Sequence, residues 1–247
     1  MYKNMSDTIR IDHGTTRMIA HRGICELECQ NTASAFVAAG NHTYFGIESD
    51  VRISKDGVYY MFHDGGIEPR VLGKEEWTDV VSMTWDELSE VCLFDWDGNK
   101  RTDLRIPLLT EYLRICDHYK KVPILEIKEP MTPEEVLGVC RVVKENFRIE
   151  DIVFISFNRD YLRIVRKELP DSTIQVLTNS EINDEMIEML LRERWDIDSN
   201  HSFVTKEAVE KLHANGIKCN CWTVDDPERG QQLCDWGVDF ITTDYLE

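Results

Sequence analysis

Charged residues two positions apart recur in this chain, at Glu48 and Asp50 and again at Glu126 and Lys128. In an extended strand that spacing puts both members on one face. Each pair interrupts or closes a stretch that otherwise reads apolar, 46–51 and 122–128, and burying an unpaired charge is expensive, so these groups need partners. Three carboxylates on one rim repel one another unless a cation lies between them. An all-oxygen donor set of that kind suits Mg²⁺ or Ca²⁺ rather than zinc. Two further runs end in groups that can hold charge or move a proton: His21-Arg22-Gly23 follows 18–20, and His63-Asp64 follows 58–62. Taken singly, each has an ordinary reading. Glu48 and Asp50 suit a solvated strand end, His21 and His63 suit structural roles, and Arg22 and Lys128 suit ion pairs. Placed together at four consecutive strand ends, they point to a charged reaction centre built around a hard divalent cation.

Elements of one kind must position these groups. Short β-type runs at 18–20, 46–51, 58–62, 122–127, 152–156, 173–177, 195–198 and 217–222 alternate with helical patterns, and 239–242 is a further short extended run. Capping boxes begin helices at Thr84 with Glu87 and at Thr132 with Glu135, the second carrying Pro133 at its first helical position. Thr205 and Gly216 bracket another helix, Asp226-Pro227 and Gly237 bracket the last, and 31–39 reads as a short helix ending at Gly40. Strands alternating with helices imply a parallel sheet. Eight strands in 247 residues fit a closed TIM-type (β/α)₈ barrel better than an open sheet, with catalysis at the C-terminal strand ends. Residues 52–57 are too few for a helix between the second and third strands. Residues 64–106 carry little periodicity and read as an elaborated loop, inserted after the third strand and lying over the barrel mouth. With no repeat or linker, residues 1–247 read as a single domain.

Composition narrows the partners. Hydrophobic residues make up 42%, enough for a full core, which excludes global disorder. With 28 basic and 46 acidic residues the formal charge is −18. Nucleic acid and anionic lipid surfaces are therefore not expected as partners, and a phosphate-bearing substrate must meet a local positive site inside a repulsive field. No apolar run approaches the ~18 residues of a membrane span, and the first ten residues lack the apolar stretch of a signal peptide, so no stable membrane association is expected. The eight cysteines then read as reduced thiols of a cytoplasmic protein rather than a disulfide framework. Cys25 and Cys29 form at most half a zinc site, since no second pair accompanies them.

The stretches Ile19-Ala20-His21-Arg22-Gly23, Asn31-Thr32-Ala33-Ser34-Ala35-Phe36, Gly46-Ile47-Glu48-Ser49-Asp50-Val51, Lys55-Asp56-Gly57, Phe62-His63-Asp64, Ile106-Pro107-Leu108-Leu109 and Leu125-Glu126-Ile127-Lys128 strongly resemble the glycerophosphodiester phosphodiesterase family. So do Ser156-Phe157, Trp222-Thr223-Val224 and the closing residues 237–244. The resemblance implies a TIM-type barrel that hydrolyses glycerophosphodiesters to glycerol 3-phosphate and an alcohol with a divalent cation. It carries the metal carboxylates onto Glu48, Asp50 and Glu126, the acid–base histidines onto His21 and His63, and the phosphate contacts onto Arg22 and Lys128. Trp222 and Phe157, at the ends of the eighth and fifth strands, are further substrate-side candidates, Trp222 as a wall for the glycerol or as barrel packing. Two departures stand out. Cys29-Gln30-Asn31-Thr32 replaces the family's usual Pro-Glu-Asn-Thr, which is expected to change helix capping rather than catalysis. The loop after His63-Asp64 reads Glu68-Pro69-Arg70-Val71-Leu72-Gly73 in place of Arg-x-Thr and a Gly-rich stretch. That excursion carries Arg70, Trp77, Trp85, Phe94 and Trp96, whose aromatic rings suit either stacking on a choline cation or a small satellite core. Rival readings are a barrel phosphodiesterase for lipid head groups, such as a lysophospholipase D, and a non-catalytic phosphate-binding barrel.

Overall fold

The computed structural model describes residues 7–95 and 97–247. The chain runs β1 (Arg17–Ala20), α1 (Ala33–Gly40), β2 (Gly46–Ile53) and β3 (Tyr59–Met61), then enters the excursion with β4 (Gly66–Ile67), α2 (Pro69–Leu72), β5 (Thr78–Asp79), α3 (Trp85–Ser89), β6 (Cys92–Phe94) and β7 (Lys100–Arg105). After α4 (Leu109–Tyr119) it alternates strictly: β8 (Val122–Ile127), α5 (Pro133–Asn146), β9 (Val153–Ser156), α6 (Arg159–Glu168), β10 (Thr173–Thr178), α7 (Asp184–Glu193), β11 (Asp196–Asn200), α8 (Lys206–Ala214), β12 (Cys219–Trp222), α9 (Pro227–Asp235) and β13 (Phe240–Thr243). The strands β1, β2, β8, β9, β10, β11, β12 and β13 pair in parallel in that order, and β13 returns to β1, closing the eight-strand barrel.

Strands sandwiched between helices and a filled interior are buried on both faces, which explains their nearly unbroken apolar reading. Their alternation sorts two cores. Ile19, Ile124, Val153, Ile155, Leu177 and Phe240 fill the barrel, while Ile47, Leu125, Phe154, Val176 and Ile241 point outward against the helices. The capping signals act as expected. Thr132 and Glu135 form a reciprocal box before α5, Thr84 and Glu87 do so before α3, and Asp226 caps α9. The first helix starts later than its sequence suggests, because Thr32 is its cap and Asn31 lies before it at φ +53°.

One strand differs in role. The run 58–62, expected as the third barrel strand, is instead the antiparallel partner of β2, with Val51 opposite Met61 and Ile53 opposite Tyr59. A parallel neighbour needs a crossover of roughly a dozen residues. Only a turn is available here, in which Gly57 takes φ +88° and its N–H donates to Ser54 O. The eighth barrel place goes to β13, the short extended run near the C-terminus. The excursion at 64–106 is built on its own satellite core of Tyr60, Ile67, Val80, Leu88, Leu93, Leu104 and their neighbours, against which Trp85 and Phe94 pack. Trp77 is 60% exposed. Trp96 and the side chain of Arg70 lie outside the described residues. All eight cysteines are free, and no helix among the described residues is long and apolar enough to cross a membrane.

Candidate active site

Parallel pairing of β2 with β8 places Asp50 beside Glu126 in register. Glu48 lies two residues before Asp50 on the same face, so the three carboxylates converge, one oxygen of each lying within 4.8 Å of the others. Burial, and after it the charges of Asp50 and Glu126, hold the Glu48 carboxyl well above the usual carboxylate range. Burial and then Asp50 push Glu126 up to about 7. For Asp50, burial works upward too, but Lys128 and Arg22 outweigh it and hold it low. Asp50 Oδ1 accepts no hydrogen bond. Buried, mutually repelling oxygen donors fit a hard divalent cation, and the trio is a group that can hold one.

Two cations border the trio. Lys128 Nζ lies 2.9 Å from Glu126 Oε1 and 3.3 Å from Asp50 Oδ1. Arg22 sits at φ +55°, which turns its main-chain N–H onto Glu48 Oε2 at 3.0 Å and brings its Nε within 3.6 Å of Asp50 Oδ2. The next residue, Gly23, has φ +81°, and a Cβ there would stand 2.6 Å from Ala35 of α1. Glycine is required for that turn. The departure at 29–32 touches both the helix cap, where Cys29 O accepts from Thr32 Oγ1 at 2.6 Å, and the site. Thr32 caps α1, whereas Gln30 Oε1 accepts from Arg22 Nη1 at 2.7 Å. Asn31 donates to Asp50 Oδ2 at 2.8 Å and accepts from Ser49 Oγ at 2.6 Å, fixing which face Asp50 presents.

Each histidine is held by a carboxylate on the same ring nitrogen. His21 Nδ1 lies 2.6 Å from Asp244 Oδ1, and His63 Nδ1 lies 2.8 Å from Asp64 Oδ1. A neutral imidazole facing a carboxylate carries its proton on that nitrogen, which leaves both Nε2 atoms for the cavity the two rings line. His21 Nε2 is 3.9 Å from Glu48 Oε2. Asp244 is fixed in turn by its own N–H, which donates to Asp225 Oδ1 at 2.9 Å. Arg52 ties the His63 segment down by donating from Nε to the carbonyls of Phe62 and His63, each at 3.1 Å.

These groups open onto one cavity of about 100 Å³ that brings together His21, Arg22, Glu48, His63, Glu126 and Lys128. Phe157 and Trp222 line it as well, packed edge to face at 5.8 Å between ring centroids. Asp50 lies just behind this lining, paired with Arg22 and Lys128. Among the described residues, Cys25 groups with His21 and Asp244 rather than with Cys29. Sequence alone does not single out Asp244, Gln30, Arg52 or Asp198 as site residues. Asp198 carries a usable signal, because Asp196 and Asp198 repeat the two-residue spacing of Glu48 and Asp50. The others reveal themselves only through contacts across the fold.

Comparison with known proteins gives the chain its relatives. The Glycerophosphoryl diester phosphodiesterase family matches residues 21–247. A glycerophosphodiester phosphodiesterase of Caldanaerobacter subterraneus subsp. tengcongensis is 30% identical over 231 residues, covering 93% of this chain and 94% of that protein. The crystal structure of a glycerophosphodiester phosphodiesterase from Parabacteroides distasonis superposes with a TM-score of 0.76 at 29% identity, covering 93% of each chain. An Oleispira antarctica phosphodiesterase, solved in complex with the product sn-glycerol-3-phosphate, superposes with a TM-score of 0.85 at 24% identity over 94% of each chain.

Proposed function

The chain belongs to the glycerophosphoryl diester phosphodiesterase family, and from that premise we propose that it hydrolyses water-soluble glycerophosphodiesters to glycerol 3-phosphate and an alcohol with the help of a divalent cation. As a member it is a phosphoric diester hydrolase. The observation that carries the finer reading is the grouping of three carboxylates, two cationic side chains and two carboxylate-held histidines around a single cavity. The product named in the Oleispira antarctica complex supports the glyceryl side of the substrate.

A phosphodiester resists attack because its anionic oxygens repel nucleophiles. Glu48, Asp50 and Glu126 would hold Mg²⁺ or Ca²⁺, which when bound neutralises charge on the phosphoryl oxygens. Arg22, with its planar fork, and Lys128, as a point charge, stabilise the same oxygens from the protein side. One histidine Nε2 takes the proton from the attacking oxygen, either water or the glyceryl 2-hydroxyl, the latter giving a cyclic phosphate that a water molecule then opens to glycerol 3-phosphate. The other protonates the alkoxide as its bond to phosphorus breaks. Asp244 and Asp64 stabilise the imidazolium formed on their partner and keep its ring in place. The test is release of glycerol 3-phosphate from glycerophosphocholine in a coupled assay. Chelation should abolish it, and Mg²⁺ or Ca²⁺ should restore it. Full turnover by metal-stripped protein, or release of phosphocholine instead, overturns the reading.

A further inference from the structure

Strand order divides the cavity into two unlike halves. Around the eight-strand barrel, β11 stands four strands from β2 in either direction, so it forms the wall opposite Glu48 and Asp50. The β2 and β8 side is crowded with charge. The far side offers Ile155, Phe157, Leu177 and Trp222, and in their midst the β11 residue Asp198. Asp198 is 1% exposed, lines the cavity, and its Oδ1 accepts no hydrogen bond. Its own carbonyl accepts from Trp222 Nε1 at 3.2 Å, which fixes the aromatic wall to the same strand. Polar neighbours on β10, β12 and β13 are engaged with each other. Asn220 Nδ2 donates to Gln175 Oε1 at 3.0 Å, and Thr242 Oγ1 donates to Asn220 Oδ1 at 3.4 Å. A buried carboxyl oxygen without a partner costs stability unless something outside the fold meets it.

We propose that Asp198 is a specificity-determining residue whose carboxyl hydrogen-bonds the terminal hydroxyl of the substrate's glyceryl group. The inference deepens the function proposed above and rests on it. With the phosphate held by Arg22 and Lys128 on the β2 and β8 side, the three-carbon glyceryl chain extends toward the opposite wall. The hydroxyl on its middle carbon stays next to the phosphate, whereas the terminal hydroxyl enters the apolar half, where it meets Asp198. A hydroxyl both donates and accepts, so it satisfies the carboxyl whichever protonation state burial imposes.

The experiment compares kcat/KM on glycerophosphocholine and on propane-1,2-diol 1-phosphocholine, which lacks only the terminal hydroxyl. The wild type, Asp198→Leu and Asp198→Asn are each measured. Wild type should favour the glyceryl substrate by ~10–100-fold, the range one hydrogen bond to a substrate hydroxyl supplies. Asp198→Leu should bring the two substrates within ~3-fold of each other by losing activity on the first alone, and Asp198→Asn should recover part of the preference. The melting temperature of Asp198→Leu should not fall, since an unpartnered buried carboxyl is removed. Equal loss on both substrates, or loss confined to a glycerophosphoethanolamine arm that reports on an ammonium group, overturns the inference and leaves the function standing. Absence of wild-type turnover on glycerophosphocholine overturns both.

Discussion

At the scale of single residues, the site divides into what strand periodicity reveals and what only the closed barrel assembles. Glu48, Asp50, Glu126 and Lys128 are legible because charges at a two-residue period in an apolar run must share one strand face. Asp244 is not, since it meets His21 across 223 positions of sequence. Gln30 misleads because its place beside a helix start suggests capping, when Thr32 alone does that work. The histidines carry the sharpest expectation. His21→Ala and His63→Ala should each lower kcat by ~10²–10⁴-fold, the usual worth of general acid–base catalysis. Cation affinity by calorimetry and the melting temperature should stay near wild type, because both rings lie on the cavity wall rather than in either core. An unfolded variant would assign that histidine to structure. Asp244→Asn should also lower kcat while KM changes little, because an amide neither fixes the ring's tautomer nor stabilises the imidazolium. A pH–rate profile that keeps its wild-type shape would argue against that positioning role.

Among the secondary-structure elements, local signals read well and pairing direction does not. Caps declare themselves within four residues, and those of α3, α5 and α9 stand where their sequences put them. An apolar run such as 58–62 looks the same whether its partner runs parallel or antiparallel. Only the shortness of the link to β2 hints at the hairpin. The α5 cap lends itself to measurement. Thr132→Ala should cost ~0.5–2 kcal/mol in urea unfolding and leave kcat unchanged, since α5 lies outside the barrel. A change in kcat would mean the helix start is coupled to the Lys128 end of β8. The excursion also bears on substrate choice. Trp85 and Phe94 are committed to its satellite core, so among the excursion's described aromatic rings only Trp77, 60% exposed, is offered to an acyl chain. Soluble glycerophosphodiesters should therefore be used broadly. A preference above ~100-fold for a lysophospholipid in kcat/KM, about 2.7 kcal/mol, would favour the lipid-directed alternative.

For the molecule as a whole, charge and closure dominate. A formal charge of −18 repels anionic substrates, and salt screens that repulsion over a Debye length of ~10 Å at 0.1 M. Stopped-flow or steady-state kcat/KM for anionic glycerophosphoglycerol should rise with added salt, whereas zwitterionic glycerophosphocholine should respond little. A fall for the anion would show that the cavity's own cations govern approach. Closure is reinforced where residues 9–11 hydrogen-bond residues 245–247. There the Glu247 carboxyl, which burial alone would raise, is pulled down to about 2 by hydrogen bonds from Thr43, Thr8 and His42. Its folded value lies below the ordinary 4.5, so its contribution is complete above that pH and fades as pH falls toward 2. Glu247→Gln should accordingly melt below wild type at pH 7, with the gap closing in acid. The excursion between β3 and β8 has a different consequence. His21, Arg22, Glu48, Asp50 and His63 all precede the excursion, while Glu126 and Lys128 follow it, and six register pairs from Gly46–Val122 to Val51–Ile127 bind the two sides together. A protease cut between residues 64 and 106 would therefore sever the covalent path between the acids without separating them, and the nicked pair should still bind its cation. Expressed apart, neither fragment should bind it until the two are mixed, so recovered cation binding would report reassembly of the barrel.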